Sequence, residues 1–128
     1  MMLNEPESNY SSGWIRVYRS LMNKAWYKKA EYTLLWVHIL FKASHTEHEF
    51  WMNGKSVKLK PGQFVTGRKM LASETGVNES KVERILKTFE NEQQIEQQKT
   101  SKNRMITVLN WGSYQKSEQH IEQQANNK

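Results

Sequence analysis

Cysteine does not occur in this chain of 128 residues, and neither does aspartate, so all thirteen acidic side chains are glutamates. The missing thiols remove disulfides, thiolate zinc sites and cysteine nucleophiles together. Proline occurs twice, and no apolar run approaches the roughly 20 residues that a membrane span requires. The N-terminus carries no basic stretch followed by an apolar one, so a secretory signal is not expected; the cytoplasm is the expected compartment and a membrane is not an expected partner. What the chain does have is excess positive charge, a formal +6 with pI near 9.6. Such a balance favours a polyanionic partner, because neutralising phosphates releases their condensed counterions. The length fits one domain, and 37% hydrophobic residues suffice for a single modest core.

The most informative segment runs from Arg68 to Lys87. Arg68 to Thr75 reads as one short helix, Gly76-Val77-Asn78 as a turn, and Glu79 onward as a second helix reaching about Asn91. Ala72 is small enough for two helices to cross closely, Gly76 supplies the positive φ that ends the first helix, and Asn78 is placed to cap the second. Val77, Val82 and Ile85 fall on the inner side of such a pair, which leaves Ser80, Lys81, Arg84 and Lys87 facing out. This spacing predicts a helix-turn-helix whose second helix suits a DNA major groove. Glu79 and Glu83 offset much of that helix's positive charge, so Arg68, Lys69 and a basic loop further on are expected to supply most of the phosphate attraction.

That loop lies between two β-prone runs, Ile95 to Gln98 and Met105 to Leu109, and carries Lys99, Lys102 and Arg104 with no acid among them. It reads as a wing. A second hairpin is expected from Phe50-Trp51-Met52 and Ser56 to Leu59 about Asn53-Gly54, a pair suited to a type I′ turn. Pro61-Gly62 makes another turn, Gln63 to Val65 a short extended piece, and Thr66 an expected N-cap for the helix after it. Glu31 to Ser44 is a helix with Leu34, Leu35, Val37, His38, Leu40 and Phe41 on its apolar face, Trp36 beside them and His38 as a core histidine. Before it, Trp14 to Tyr18 alternates like a short strand and Leu21 to Lys29 reads as a short aromatic-rich helix. Trp111 and Tyr114 are expected to pack back on the core. Trp14, Tyr18, Trp26 and Tyr27 are either ordinary core, the favoured reading, or a self-association surface, since aromatics concentrate at interface centres.

The expected fold class is therefore α+β, a winged helix-turn-helix with an extra N-terminal helical segment and two β-hairpins. Residues 14–115 form the domain, 1–13 a flexible leader and 116–128 a disordered Gln/Asn-rich tail. Glu92 to Gln98 nearly recurs as Glu118 to Gln124, which compositional drift explains better than a structural repeat.

Catalytic chemistry finds little to work with, and neither an enzyme nor a cofactor is expected. Gly54-Lys55-Ser56 resembles the end of a phosphate-binding loop, but Glu49 stands where that loop needs glycine. His45, Glu47, His48 and Glu49 cluster, yet the histidines are three apart rather than four, and a solvated polar loop explains them better than a metal site. No serine sits in a nucleophile elbow.

From about Gly13 to Gln115 the chain resembles the DnaD-like replication initiators of phages and bacteria. The resemblance rests on the Trp14 to Tyr18 opening, Leu34-Leu35-Trp36, Phe50 to Gly54, Leu59 to Arg68, Leu71-Ala72, Glu74-Thr75-Gly76, Ser80-Lys81-Val82, and the ending Asn110-Trp111 with Tyr114-Gln115. It implies an N-terminal winged-helix domain of a replisome organiser that binds double-stranded DNA, self-associates into a homo-oligomer and contacts host helicase-loading proteins. Larger relatives carry a C-terminal domain after a Gln/Asn/Lys-rich linker, and this chain stops inside what resembles that linker. Two other readings stand beside it: a protein-interaction module that touches DNA little or not at all, and a transcriptional regulator.

Overall fold

The computed structural model describes residues 13–52 and 54–115, so the leader, the tail and Asn53 of the expected type I′ turn lie outside the described residues. Among the described residues the architecture is α+β, with four α-helices and two small antiparallel sheets. The elements are α1 (Ala30–Lys42), β1 (His48–Met52), β2 (Lys55–Leu59), β3 (Gln63–Thr66), α2 (Arg68–Thr75), α3 (Glu79–Asn91), β4 (Ile95–Lys99), β5 (Arg104–Val108) and the single turn α4 (Trp111–Tyr114). Strands β1 and β2 form one sheet by themselves, with Met52 opposite Lys55. The other sheet has the order β3-β5-β4, with Phe64 opposite Ile106 and Ile95 opposite Val108. No helix among the described residues is long and apolar enough to cross a membrane.

Phe89 of α3 is at the centre of the core, fully buried, with ring centroids of Trp26, Trp36 and Tyr32 at 5.0, 5.4 and 6.4 Å. Tilted and edge-on rings at these distances suit the aromatic quadrupole. Leu71, Val77, Val82, Ile85 and Leu86 fill the junction of α2 with α3, while Phe64, Ile95, Ile106 and Val108 close the core from the sheet side.

Helix α1 turns a different face inward from the one its pattern suggested. Leu35, Trp36, Ile39 and Leu40 are buried, followed by Ala43, whereas Leu34 and Phe41 are largely exposed. A stripe stepping by three and four residues through Tyr32, Leu35, Trp36, Ile39 and Ala43 meets Phe89, and a helix cannot bury Leu34 and Phe41 as well. His38 is correspondingly not a core histidine: its Nε2 lies 2.8 Å from Oε1 of Glu74, and Lys42 Nζ lies 3.2 Å from the other oxygen, so α1 is tied to α2 by polar groups at the core's edge.

The turn between α2 and α3 follows the expected chemistry. Gly76 has φ +80° and donates its N–H to Ala72 O, and the Asn78 side chain accepts from Ser80 N at 2.9 Å. Helix α3 ends without glycine: Gln93 takes φ +60°, and the N–H groups of Gln93 and Gln94 donate to Glu90 O and Phe89 O, a Schellman closure. Thr66, by contrast, does not cap α2. Gly67 is the N-cap residue, and Thr66 points inward from β3 among the buried side chains. Direct pairing of Thr66 with Arg104 and of Phe64 with Ile106 keeps one face of β3 turned to the core, which leaves its hydroxyl no route to the helix.

The N-terminal segment corrects two further expectations. Trp14 to Tyr18 is not a strand; instead Gln115 serves Arg16, accepting its N–H at 2.9 Å and donating to its C=O at 3.0 Å. In place of a helix over 21–29 there is a 3-10 helix at Arg19–Asn23 followed by turns that deliver Trp26 to the core. Trp111 packs on that core as expected; the Tyr114 side chain lies outside the described residues. His45 stacks edge-on against Trp111 with centroids 5.2 Å apart, and His48 and Glu49 open β1, so that region is not simply a solvated loop.

Gly62 joins three parts of the fold. Its N–H donates to Ser44 O, its C=O accepts from Val108 N, its φ is +89°, and a Cβ there would stand 2.8 Å from Trp111 Cβ. Gly62→Ala is expected to cost about 2–4 kcal/mol, combining left-handed strain with overpacking. Gly76→Ala has open space and similar φ, so it is expected to cost only about 1–2 kcal/mol. Chemical denaturation of both variants checks the order, and equal losses would mean that the Trp111 contact is immaterial.

Candidate nucleic-acid interface

Helix α3 buries Val82, Ile85, Leu86 and Phe89 and leaves Ser80, Lys81, Arg84 and Lys87 exposed. The amphipathic split follows from the 3.6-residue period, so the polar ridge is a direct consequence of where the aliphatics fall. Asn78 and Ser80 stand at the amino end of this ridge, where the Ser80 hydroxyl also donates to Asn78 Oδ1 at 2.7 Å. The β4–β5 loop lies beside α3 and the first turn of α2. Between them runs a groove of about 440 Å³ lined by Arg68, Lys69, Lys99, Lys102, Arg104 and Glu83, among others.

The cations are not equally available. Lys69, Arg84, Lys87 and Lys102 make no ion pair among the described residues, whereas Lys81 pairs with Glu31 of α1 at 3.0 Å. Arg68 lies 3.3 Å from Glu79 and 4.0 Å from Glu83, and Lys99 lies 3.9 Å from Glu83. Arg84 also borders a second groove, about 380 Å³, formed with Lys29, Glu31, Tyr32 and Lys81 where α1 begins.

Arg104 departs from its expected place on the wing tip. It opens β5 with its side chain turned inward and 8% exposed, donating through both terminal nitrogens to the two oxygens of Glu83 and at 2.8 Å to Gln97 Oε1. The strand register decides this: opposite Thr66 and Lys99, the residue faces α3, and a guanidinium there must find a carboxylate. Arg104 is a strut between the β4–β5 hairpin and α3 rather than a loop cation.

Trp26 is likewise removed from the candidate association surface, since it is buried against Phe89 and its indole N–H donates to Glu92 Oε1 at 3.0 Å. Trp14, Tyr18 and Tyr27 remain exposed, Trp14 at 71%. Sequence reasoning missed the centrality of Glu83, which it entered only as a charge subtracted from the helix. The available signal was its spacing from Glu79, four residues apart on the flank that faces α2.

Arg104 holds the Glu83 carboxyl below the ordinary glutamate value of 4.5, with partial burial opposing and Lys99 and Arg68 assisting. Glu74 is pushed up by burial, yet hydrogen bonds from His38 and Lys42 hold it below that value too. The chain matches no family model, no curated protein and no solved structure.

A depressed carboxyl pKa contributes stability that is fully present above the unfolded value and is lost as pH falls through the folded one. The thermal midpoint is therefore expected to drop as pH is lowered past 4.5. Arg104→Met is expected to lower stability at neutral pH by about 2 kcal/mol and to make the acid-induced drop shallower, leaving the share due to Glu74. Melting curves across this range check it, and an unchanged acid drop would show that Arg104 does not set the Glu83 titration.

Proposed function

We propose that this chain is a winged-helix protein that binds double-stranded DNA, with α3 in the major groove and the β4–β5 loop along the adjacent backbone. In this reading it acts in replication initiation like the DnaD-like proteins it resembles. The observation that carries the reading is the unsealed polar ridge of Lys81, Arg84 and Lys87 on α3, standing next to a basic loop. Support also comes from element order. Helix α1, strand β3, helices α2 and α3, and the β4–β5 hairpin in a sheet ordered β3-β5-β4 put a helix pair in front of a wing. The separate β1–β2 hairpin is then an insertion between α1 and β3.

Roles follow from position. Arg84, exposed in the middle of α3 and without an ion pair among the described residues, is the candidate for bidentate contact with guanine. Lys81 and Lys87 flank the phosphates, as do Lys69 and Lys102 from α2 and the wing, while Asn78 and Ser80 meet phosphate or base edges near the start of α3.

A second reading has its own observation. Trp14 and Trp51 are 71% and 70% exposed, with Tyr18 and Phe50 also open, and large exposed aromatics suit self-association or docking on a replication partner. In that case duplex DNA is bound weakly or not at all.

Gel mobility assays on duplexes selected from a random pool, at two salt concentrations and beside light scattering, separate these. Arg84→Ala is expected to relax preference at one base pair by about 1–3 kcal/mol. Lys102→Ala should weaken all sequences alike and reduce the salt slope by about one. Failure of the unaltered protein to retain any duplex at low salt, together with oligomers in solution, would replace DNA binding by the interaction reading.

A further inference from the structure

The groove between α2, α3 and the β4–β5 loop holds one carboxylate among cations contributed by three elements. Glu83 sits at 2.5–3.0 Å from Arg104, 3.9 Å from Lys99 and 4.0 Å from Arg68. These contacts differ in kind. Arg104 is buried, held by two parallel N–H donors and steadied by Gln97, so separating it from Glu83 would strand a buried charge. Arg68 and Lys99 have half-exposed side chains at the outer limit of ion pairing, where a pair contributes little and exchanges readily. Thr100, Ser101 and Asn103 add hydroxyl and amide groups along the same wall.

We propose that this groove is a phosphodiester-binding site in which Glu83 is the resident anion, keeping Lys99 and, together with Glu79 at 3.3 Å, Arg68 in place until a duplex backbone phosphate takes them. The proposal rests on the DNA-binding reading above and adds the exchange at Glu83 to it. Arg104 stays with Glu83 throughout, so the wing keeps its position on α3 while the two loose cations change partner. Lys69 and Lys102, on the rim and without ion pairs among the described residues, make the first approach. Glu83 thereby lowers affinity for every duplex alike, since it competes with the backbone and reads no base.

Glu83→Gln retains an oxygen for Arg104 and removes the competing charge. In the full chain it is expected to tighten binding of short random-sequence duplexes about tenfold, equivalent to ~1.4 kcal/mol, on the scale of two exposed ion pairs. Duplexes of different sequence should gain equally. Glu49→Gln on the separate hairpin makes the same change in net charge and is expected to alter affinity less than about twofold by long-range attraction alone. A second measurement needs no substitution. In the unaltered protein, adding duplex should shift the guanidinium Nη–H resonances of Arg68, whose Nη1 faces Glu83, and leave those of Arg104 in place. Unchanged or weaker binding by a folded Glu83→Gln variant, or movement of Arg104 instead of Arg68, overturns the exchange while leaving DNA binding intact. Absence of duplex binding by the unaltered protein at low salt defeats the DNA reading itself, and the exchange with it.

Discussion

The paired Arg104 and Glu83 fix how the β4–β5 hairpin stands on α3. Pairing of β5 with β3 and burial of Ile95, Ile106 and Val108 hold the base of the hairpin, but apolar contacts carry no direction. Burying a guanidinium against a carboxylate adds a directional contact to α3, because any other angle leaves a cation away from both water and its partner. Gln97 accepts a further hydrogen bond from Arg104 and donates to Glu90, so the hairpin meets α3 at two carboxylates seven residues apart, β5 at Glu83 and β4 at Glu90. The spacing between ridge and loop is thus set by polar contacts at the same boundary where Ile95 and Ile106 make the apolar ones.

This arrangement changes how the net charge of +6 should be read. Charge counted along the chain treats every lysine and arginine as open to a polyanion, whereas folding assigns several of them internal partners. Lys81 spends part of its field on Glu31, Arg68 on Glu79, and Arg104 nearly all of its own on Glu83. The remainder unshared among the described residues on this side of the molecule, Lys69, Arg84, Lys87 and Lys102, is smaller but distributed over α2, α3 and the β4–β5 loop, which gives it geometric meaning that a sum lacks.

Legibility from sequence followed the range of the interaction. The α2–α3 turn could be read because its determinants are local: a glycine that takes positive φ, an asparagine that caps two residues ahead, and aliphatics at helical spacing. The hairpin about Gly54 and the presence of β4 and β5 were readable for the same reason, although the strands take in Lys99 and Arg104, expected in the loop, and leave out Leu109. Pairing of β3 with β5 was not, since partners 38 to 44 residues apart leave no mark on either segment. That pairing in turn decided the inward direction of Arg104 and Thr66, so the β4–β5 loop lost a cation and α2 lost its expected cap. Helix α1 shows a third limit: it carries more apolar residues than one face can bury, and only the position of Phe89 selects Ile39 and Ala43 over Leu34 and Phe41. For the candidate interface, the ridge on α3 was legible and the role of Glu83 was not, because its partners Arg68, Lys99 and Arg104 come from three other elements of the chain.

The amide of Gln115 spans the fold in a way that bears on its cooperativity. By answering both the N–H and the C=O of Arg16, it acts as a one-residue substitute for a strand and closes a ring of nearly the whole domain. A latch of this kind is shared property: loosening of residues near Trp14 deprives the turn after Trp111 of its anchor, and loosening of that turn deprives Arg16 in return. Hydrogen exchange at the two extremities should therefore be synchronous, with amides near Arg16 and near Gln115 opening as a single unit.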